Sequence, residues 1–165
     1  RRKAGFVISR SYCVWMQIYA DAYKKSTDEF FAVVDALSPD DLDRSDSEGW
    51  SPRQVIHHMA DSETQSYARL RRLIAEPGTA IQGYDEGLWA DNHTLGYSTE
   101  DISDSIAVIK AVRQSSYALI TRLSDEQMSN TCIHTESGEY TVKDWLATYT
   151  NHPKDHANQI REIPR

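Results

Sequence analysis

Trp50-Ser51-Pro52-Arg53-Gln54-Val55-Ile56-His57-His58-Met59-Ala60-Asp61-Ser62-Glu63 reads as the opening of an amphipathic helix. Ser51 stands where an N-cap is wanted and Pro52 at the first helical position, where a missing N–H costs nothing. The helix is expected to run to about Ala75, before Pro77 and Gly78. Projected at about 100° per residue, its apolar arc holds Val55, Ile56, Met59, Tyr67, Leu70, Leu73 and Ile74. His58 lies at the edge of that arc near Val55 and Ser62, whereas His57 points well away and reads as an exposed or rim residue. Glu63 falls close to the middle of the arc, an unusual place for a carboxylate.

Working outward, Trp15, Ile18, Tyr19, Ala22, Phe30, Val33 and Leu37 recur at helical spacing and give a first helix that faces the core on that side. Ser38-Pro39-Asp40-Asp41 ends it, and an acidic connector, Asp43 to Gly49, follows. From Glu76 to Tyr97 no period is sustained, although Tyr84 to Ala90 can form a short turn of helix; loops of this length are often functional or cover something. Ser98-Thr99-Glu100-Asp101 resembles a capping box that opens a third long helix, with Ile102, Ile106, Ile109, Ser116, Tyr117, Ile120 and Leu123 along one side. Thr131 to Tyr140 suggests a small hairpin centred on Ser137-Gly138. Thr141 then caps a fourth helix to about Ile163. Four long helices with little strand signal predict an all-α bundle with a long connection between its second and third helices.

The 165 residues suit one domain, with residues 1–9, a disordered or extended N-terminus, given no structural role. Eighteen Lys and Arg against 25 Asp and Glu leave a formal charge of −7, so there is no overall positive field for nucleic acid or anionic lipid. The two cysteines, Cys13 and Cys132, lie far apart, which reads neither as a disulfide framework nor as a thiolate zinc site. No apolar run reaches membrane-spanning length and no secretory signal is read, so a cytoplasmic protein is expected.

Six histidines are the unusual feature of the composition. On the fourth helix Val142, Trp145, Tyr149, His152, His156 and Ile160 share an arc of about 80°, while Lys143, Asp144, Asn151, Lys154 and Asn158 face the other way. Two imidazoles four residues apart on an inward seam can share one metal ion, or can be core histidines held by hydrogen bonds. Pro153 follows the first of them, so the pair is no HExxH and a zincin-type protease is disfavoured. Pro153 also removes the bond to the Tyr149 carbonyl and should bend the helix between the two histidines. A third ligand must come from elsewhere, and His58 is the better candidate; His93 and His134 read as ordinary surface residues. Arg113 falls inside the third helix's stripe and is expected to pair with Glu63 in the bundle or to line a polar cavity with it, the alternatives being a snorkelling arginine and a slightly rotated second helix.

The stretch Gly49 to Glu63, continued through Ser66-Tyr67-Ala68-Arg69, then Tyr84-Asp85-Glu86-Gly87-Leu88-Trp89, then His152 and His156, resembles the DinB-like superfamily, and within it the YfiT-like metal-dependent hydrolases and bacillithiol S-transferases. The resemblance covers roughly residues 15 to 162. It implies a four-helix bundle, commonly a homodimer, with one divalent metal held by His58, His152 and His156. Zinc and nickel both suit three imidazoles, and such a site leaves a position open for a water nucleophile or a thiol. Glu63 and Asp61 are the nearest carboxylates in sequence for acid or base work; Tyr84, Asp85 and Trp89 would serve as pocket or lid, with Arg113 beside them. Three functions follow for a small-molecule substrate: hydrolysis, transfer of a low-molecular-weight thiol whose carboxylates Arg69, Arg72 or Arg113 would receive, or a non-enzymatic metal-binding or dimerisation module.

Overall fold

The structure, a computed structural model, describes residues 10–45 and 49–164, with side chains from residue 15 onward. The N-terminal expectation for residues 1–9 lies outside the described residues. Four long helices, α1 (Arg10–Val34), α2 (Pro52–Ala75), α4 (Ser103–Ile120) and α5 (Val142–Glu162), form the bundle, and a short α3 (Glu86–Asp91) lies in the connection after α2. α1 packs on α5 and α4, and α2 packs on the same two partners. None of the described helices is long and apolar enough to cross a membrane.

Local chemistry sets the helix ends. Ser51 accepts from the Gln54 N–H while the Gln54 side chain accepts from the Ser51 N–H at 2.9 Å, with Pro52 in the first turn. Thr141 and Asp144 make the same reciprocal pair at the start of α5. Two unmade N–H bonds are satisfied at each of these ends, which fixes where the helix begins. α4 starts later than the Ser98–Asp101 box suggests. Its first residue is Ser103, whose N–H is held by Asp101 Oδ1 at 2.8 Å. The Glu100 carbonyl faces α2 instead, receiving Arg53 Nη1 at 2.9 Å and contacting His57 Nε2 at 3.2 Å.

The expected hairpin is present as β2 (Thr131–His134) and β3 (Gly138–Thr141), with Gly138 at φ +77° where the chain reverses. A two-residue strand, β1 (Ala80–Ile81), joins it in parallel beside β2, a pairing too short for any sequence period to reveal. β3 runs directly into α5, so the small sheet anchors the start of the helix that carries two of the histidines.

The face of α1 differs from the sequence reading. Met16, Ala20, Tyr23, Phe30 and Val34 are its buried apolar positions, whereas Trp15, Ile18 and Tyr19 are 63%, 54% and 41% exposed. The first half of α1 is apolar on two sides, so the helical period admits two inward faces and selects neither. Along the bundle the apolar core divides in two. Tyr23, Leu70, Leu73, Ile120 and Trp145 belong to one cluster; Phe30, Val55, Ile56, Met59, Ile109 and Ile160 belong to the other. On all four long helices the residues between these clusters are polar: Ser26, Glu63 and Ser66, Arg113 and Ser116, His152 and His156. A polar belt around the middle of a bundle must satisfy itself internally, and this one carries the candidate site.

Candidate metal centre

His58 from α2 and His152 and His156 from α5 turn their Nε2 atoms toward one another. His58 Nε2 is 3.2 Å from His152 Nε2, which is 2.9 Å from His156 Nε2, and one nitrogen from each of the three rings lies within 4.8 Å of the others. The pairing on α5 follows from the i, i+4 spacing, and α2 contributes His58 because α2 and α5 pack together there. The Trp50 ring lies 4.8 Å from the His58 ring, and Tyr149 stands edge-on to His152 at 6.1 Å. Gln159 Oε1 accepts the Nδ1–H of His156 at 2.7 Å, which fixes that tautomer and leaves Nε2 with a bare lone pair aimed at the cluster.

These atoms fit a divalent ion. Burial lowers the pKa of all three imidazoles, His58 to about 3 and His152 well below its usual value, with His156 further opposing protonation of His58, and His156 and His58 that of His152. At neutral pH they are therefore neutral donors, the form that ligates. Lone pairs pressed together at 2.9 and 3.2 Å repel unless a proton or cation lies between them. Nitrogens about 2.05 Å from a tetrahedral ion sit ~3.3 Å apart, close to the two spacings of 3.2 and 2.9 Å that run through His152.

Glu63 and Arg113 are both inside, 0% and 2% exposed, and pair at 2.9 Å through Glu63 Oε1 and Arg113 Nη1. Burial pushes the Glu63 carboxyl up, and Arg113 opposes this by charge and hydrogen bond. Arg113 has further tasks. It donates to Ser26 and Thr27, to the Tyr23 carbonyl, and through Nη1 to the Tyr149 carbonyl at 2.8 Å, with its guanidinium 3.5 Å over the Tyr23 ring. The last bond answers the problem set by Pro153. α5 runs unbroken through Pro153, whose missing N–H would otherwise leave the Tyr149 carbonyl buried without a donor. Arg113 supplies that donor three residues before His152 and about two turns before His156.

Asp61 accepts from the Tyr97 hydroxyl at 2.6 Å, tying α2 to the loop that precedes α4. The Tyr84 and Trp89 rings meet at 4.5 Å, tilted by 53°, with the Tyr84 hydroxyl buried. Asp85 caps α3 by accepting from the Leu88 N–H. His57 is not exposed but 7% accessible, contacting Ser105 Oγ at 2.8 Å and the Glu100 carbonyl at 3.2 Å. His134 is likewise buried, at 8%, and takes the Glu136 N–H, whereas His93 is exposed. Of the candidate arginines, Arg72 serves the Ala80 carbonyl, and Arg69 serves Tyr149 and the Gln82 carbonyl while its Nε stays buried without a partner. The residue missed by sequence reasoning is Glu86, whose Oε2 stands 4.0 Å from His58 Nε2.

Fold and site together define a four-helix bundle with a candidate three-histidine metal centre in its polar belt. The chain belongs to the DinB superfamily, whose family model matches residues 22–160. It is 36% identical over 132 residues to a "putative metal-dependent hydrolase" of Oceanobacillus iheyensis, covering 79% of this chain and 74% of that one. It is 30% identical over 153 residues to the Bacillus subtilis protein of the same description, YfiT, covering 92% and 83%. The solved structure of YfiT, described as "a probable metal-dependent hydrolase with an unusual four-helix bundle topology", aligns with a TM-score of 0.81 at 27% identity, over 99% of this chain and 91% of that one. The resemblance and the fold class expected from the sequence are borne out.

Proposed function

We propose that this protein is a metal-dependent enzyme of the hydrolase kind, acting on a small molecule with one zinc or nickel ion held by His58, His152 and His156. The observation that carries the reading is the convergence of three neutral imidazole nitrogens within 4.8 Å in a buried belt. When bound, the ion would supply Lewis acidity to a water nucleophile. The protein's own residues do the rest. Gln159 orients His156, Arg113 and Glu63 hold α5 in place through the Tyr149 carbonyl, and Tyr84 with Trp89 forms an aromatic wall on the connection that carries Glu86.

Thiol transfer is the second reading; what supports it is Arg69, a half-buried guanidinium bonded to the Tyr149 hydroxyl and the Gln82 carbonyl whose charge suits a thiol cosubstrate's carboxylate. The two part company in a turnover assay of metal-loaded protein with ester and electrophile panels, with and without bacillithiol, mycothiol or glutathione. Thiol-independent ester cleavage is expected. Turnover only with a thiol would favour transfer instead, and no turnover on either panel would favour a non-enzymatic metal-binding module.

A homodimer is also proposed, on the exposed apolar face of Trp15, Ile18 and Tyr19. Light scattering on the purified protein is expected to give twice the chain mass, falling to one chain mass for Ile18→Asp. A monomeric wild type would contradict this.

A further inference from the structure

Three neutral imidazoles around a divalent ion would leave two positive charges in a pocket where His58 is 0% exposed. A buried charge of that size calls for an anionic partner, because desolvation is not offset by neutral donors alone. The carboxylates first considered for the site are otherwise engaged: Glu63 by Arg113, Asp61 by the Tyr97 hydroxyl, Asp85 by the Leu88 N–H. Glu86 differs. Its Oε2 is 4.0 Å from His58 Nε2, the same nitrogen that faces His152. Its side chain is 52% exposed, so a change of rotamer is open to it. It also sits in the first turn of α3, a six-residue helix outside the bundle.

Resting on the three-histidine reading above, we propose that Glu86 is the anionic fourth donor of the centre, carried on α3 and drawn in when the ion binds. The carboxylate then does two things. It reduces the site's net charge by one, and it fastens the Tyr84–Trp89 segment over the centre, to be displaced by a substrate's own oxygen or sulfur donor. A single short helix thus both closes the pocket and makes its closure depend on metal.

The test is zinc affinity of the full chain, by competition with a chromophoric chelator, together with the visible spectrum of the cobalt-loaded protein, which reports the donor set. Glu86→Gln is expected to weaken zinc by at least about tenfold and to alter the cobalt spectrum. Asp85→Asn removes the same charge one residue away while keeping a capping side chain, and is expected to leave affinity within about twofold. Unchanged affinity and spectrum in Glu86→Gln would overturn the proposal while leaving the histidine site standing. Equal weakening in both variants would also overturn it, since that is the mark of a diffuse field rather than a ligand. Wild-type protein that binds no zinc would defeat the three-histidine reading and this proposal with it.

Discussion

Replacing Arg113 with Met is expected to destabilise the protein by about 3–5 kcal/mol, because it leaves Glu63 as an uncompensated charge in the interior. At 0% exposure Glu63 has no route to water, and burial already pushes its carboxyl up. For a chain of this length the loss corresponds to a fall in Tm on the order of 10 °C. The same substitution removes the donor from the Tyr149 carbonyl, the acceptor that Pro153 cannot serve. Restoring an N–H at that position should therefore soften the effect. In a Pro153→Ala background, Arg113→Met is expected to cost about 1 kcal/mol less than in the wild type, the worth of one hydrogen bond. Thermal or urea unfolding of the four proteins in the cycle measures this coupling. Strict additivity would mean that the Arg113–Tyr149 bond does not compensate for the proline.

The second large effect concerns His152, the ring through which both short imidazole contacts run. With free zinc at about 100 times its Kd, the wild-type protein should gain ~2.7 kcal/mol, a rise in Tm of roughly 5–10 °C. His152→Ala should lose that gain altogether. His57→Ala is the informative control, since His57 is the neighbour of a proposed ligand and is also buried, yet it faces Ser105 and Glu100. It is expected to keep the zinc-dependent gain while lowering the baseline by about 1–3 kcal/mol through the polar groups it leaves unbonded. Differential scanning calorimetry with and without zinc separates the two. A His57→Ala variant blind to zinc, beside a His152→Ala variant that still responds, would reverse the assignment of ligands.

Much of this arrangement is legible in the sequence, for reasons that differ residue by residue. α2 and α5 carry capping residues and one-sided apolar arcs, so their ends and most of their inward faces can be projected, and with them the positions of His58, His152 and His156, although on α2 Tyr67 is exposed and His57 buried against the projection. α1 defeats the same projection because Met16, Ala20 and Tyr23 compete with Trp15, Ile18 and Tyr19 for the inward face. The start of α4 is misread because a capping box is a local signal, whereas the Glu100 carbonyl is committed to Arg53 and His57, more than 40 residues away along the chain. The Glu63–Arg113 pairing follows from two charges on apolar faces. The use of Arg113 to serve the carbonyl orphaned by Pro153 does not, since α4 and α5 meet at that point only in three dimensions. Glu86 is hidden for a similar reason: nothing in a six-residue helix says which long helix it overlies.

The most direct measurement is the zinc content and binding stoichiometry of the purified chain, by elemental analysis after zinc loading and removal of the excess. One ion per chain is expected, lost in each of His58→Ala, His152→Ala and His156→Ala. Less than about 0.2 equivalents in the wild type, with no change in thermal stability on adding zinc or nickel, would contradict a three-histidine metal centre.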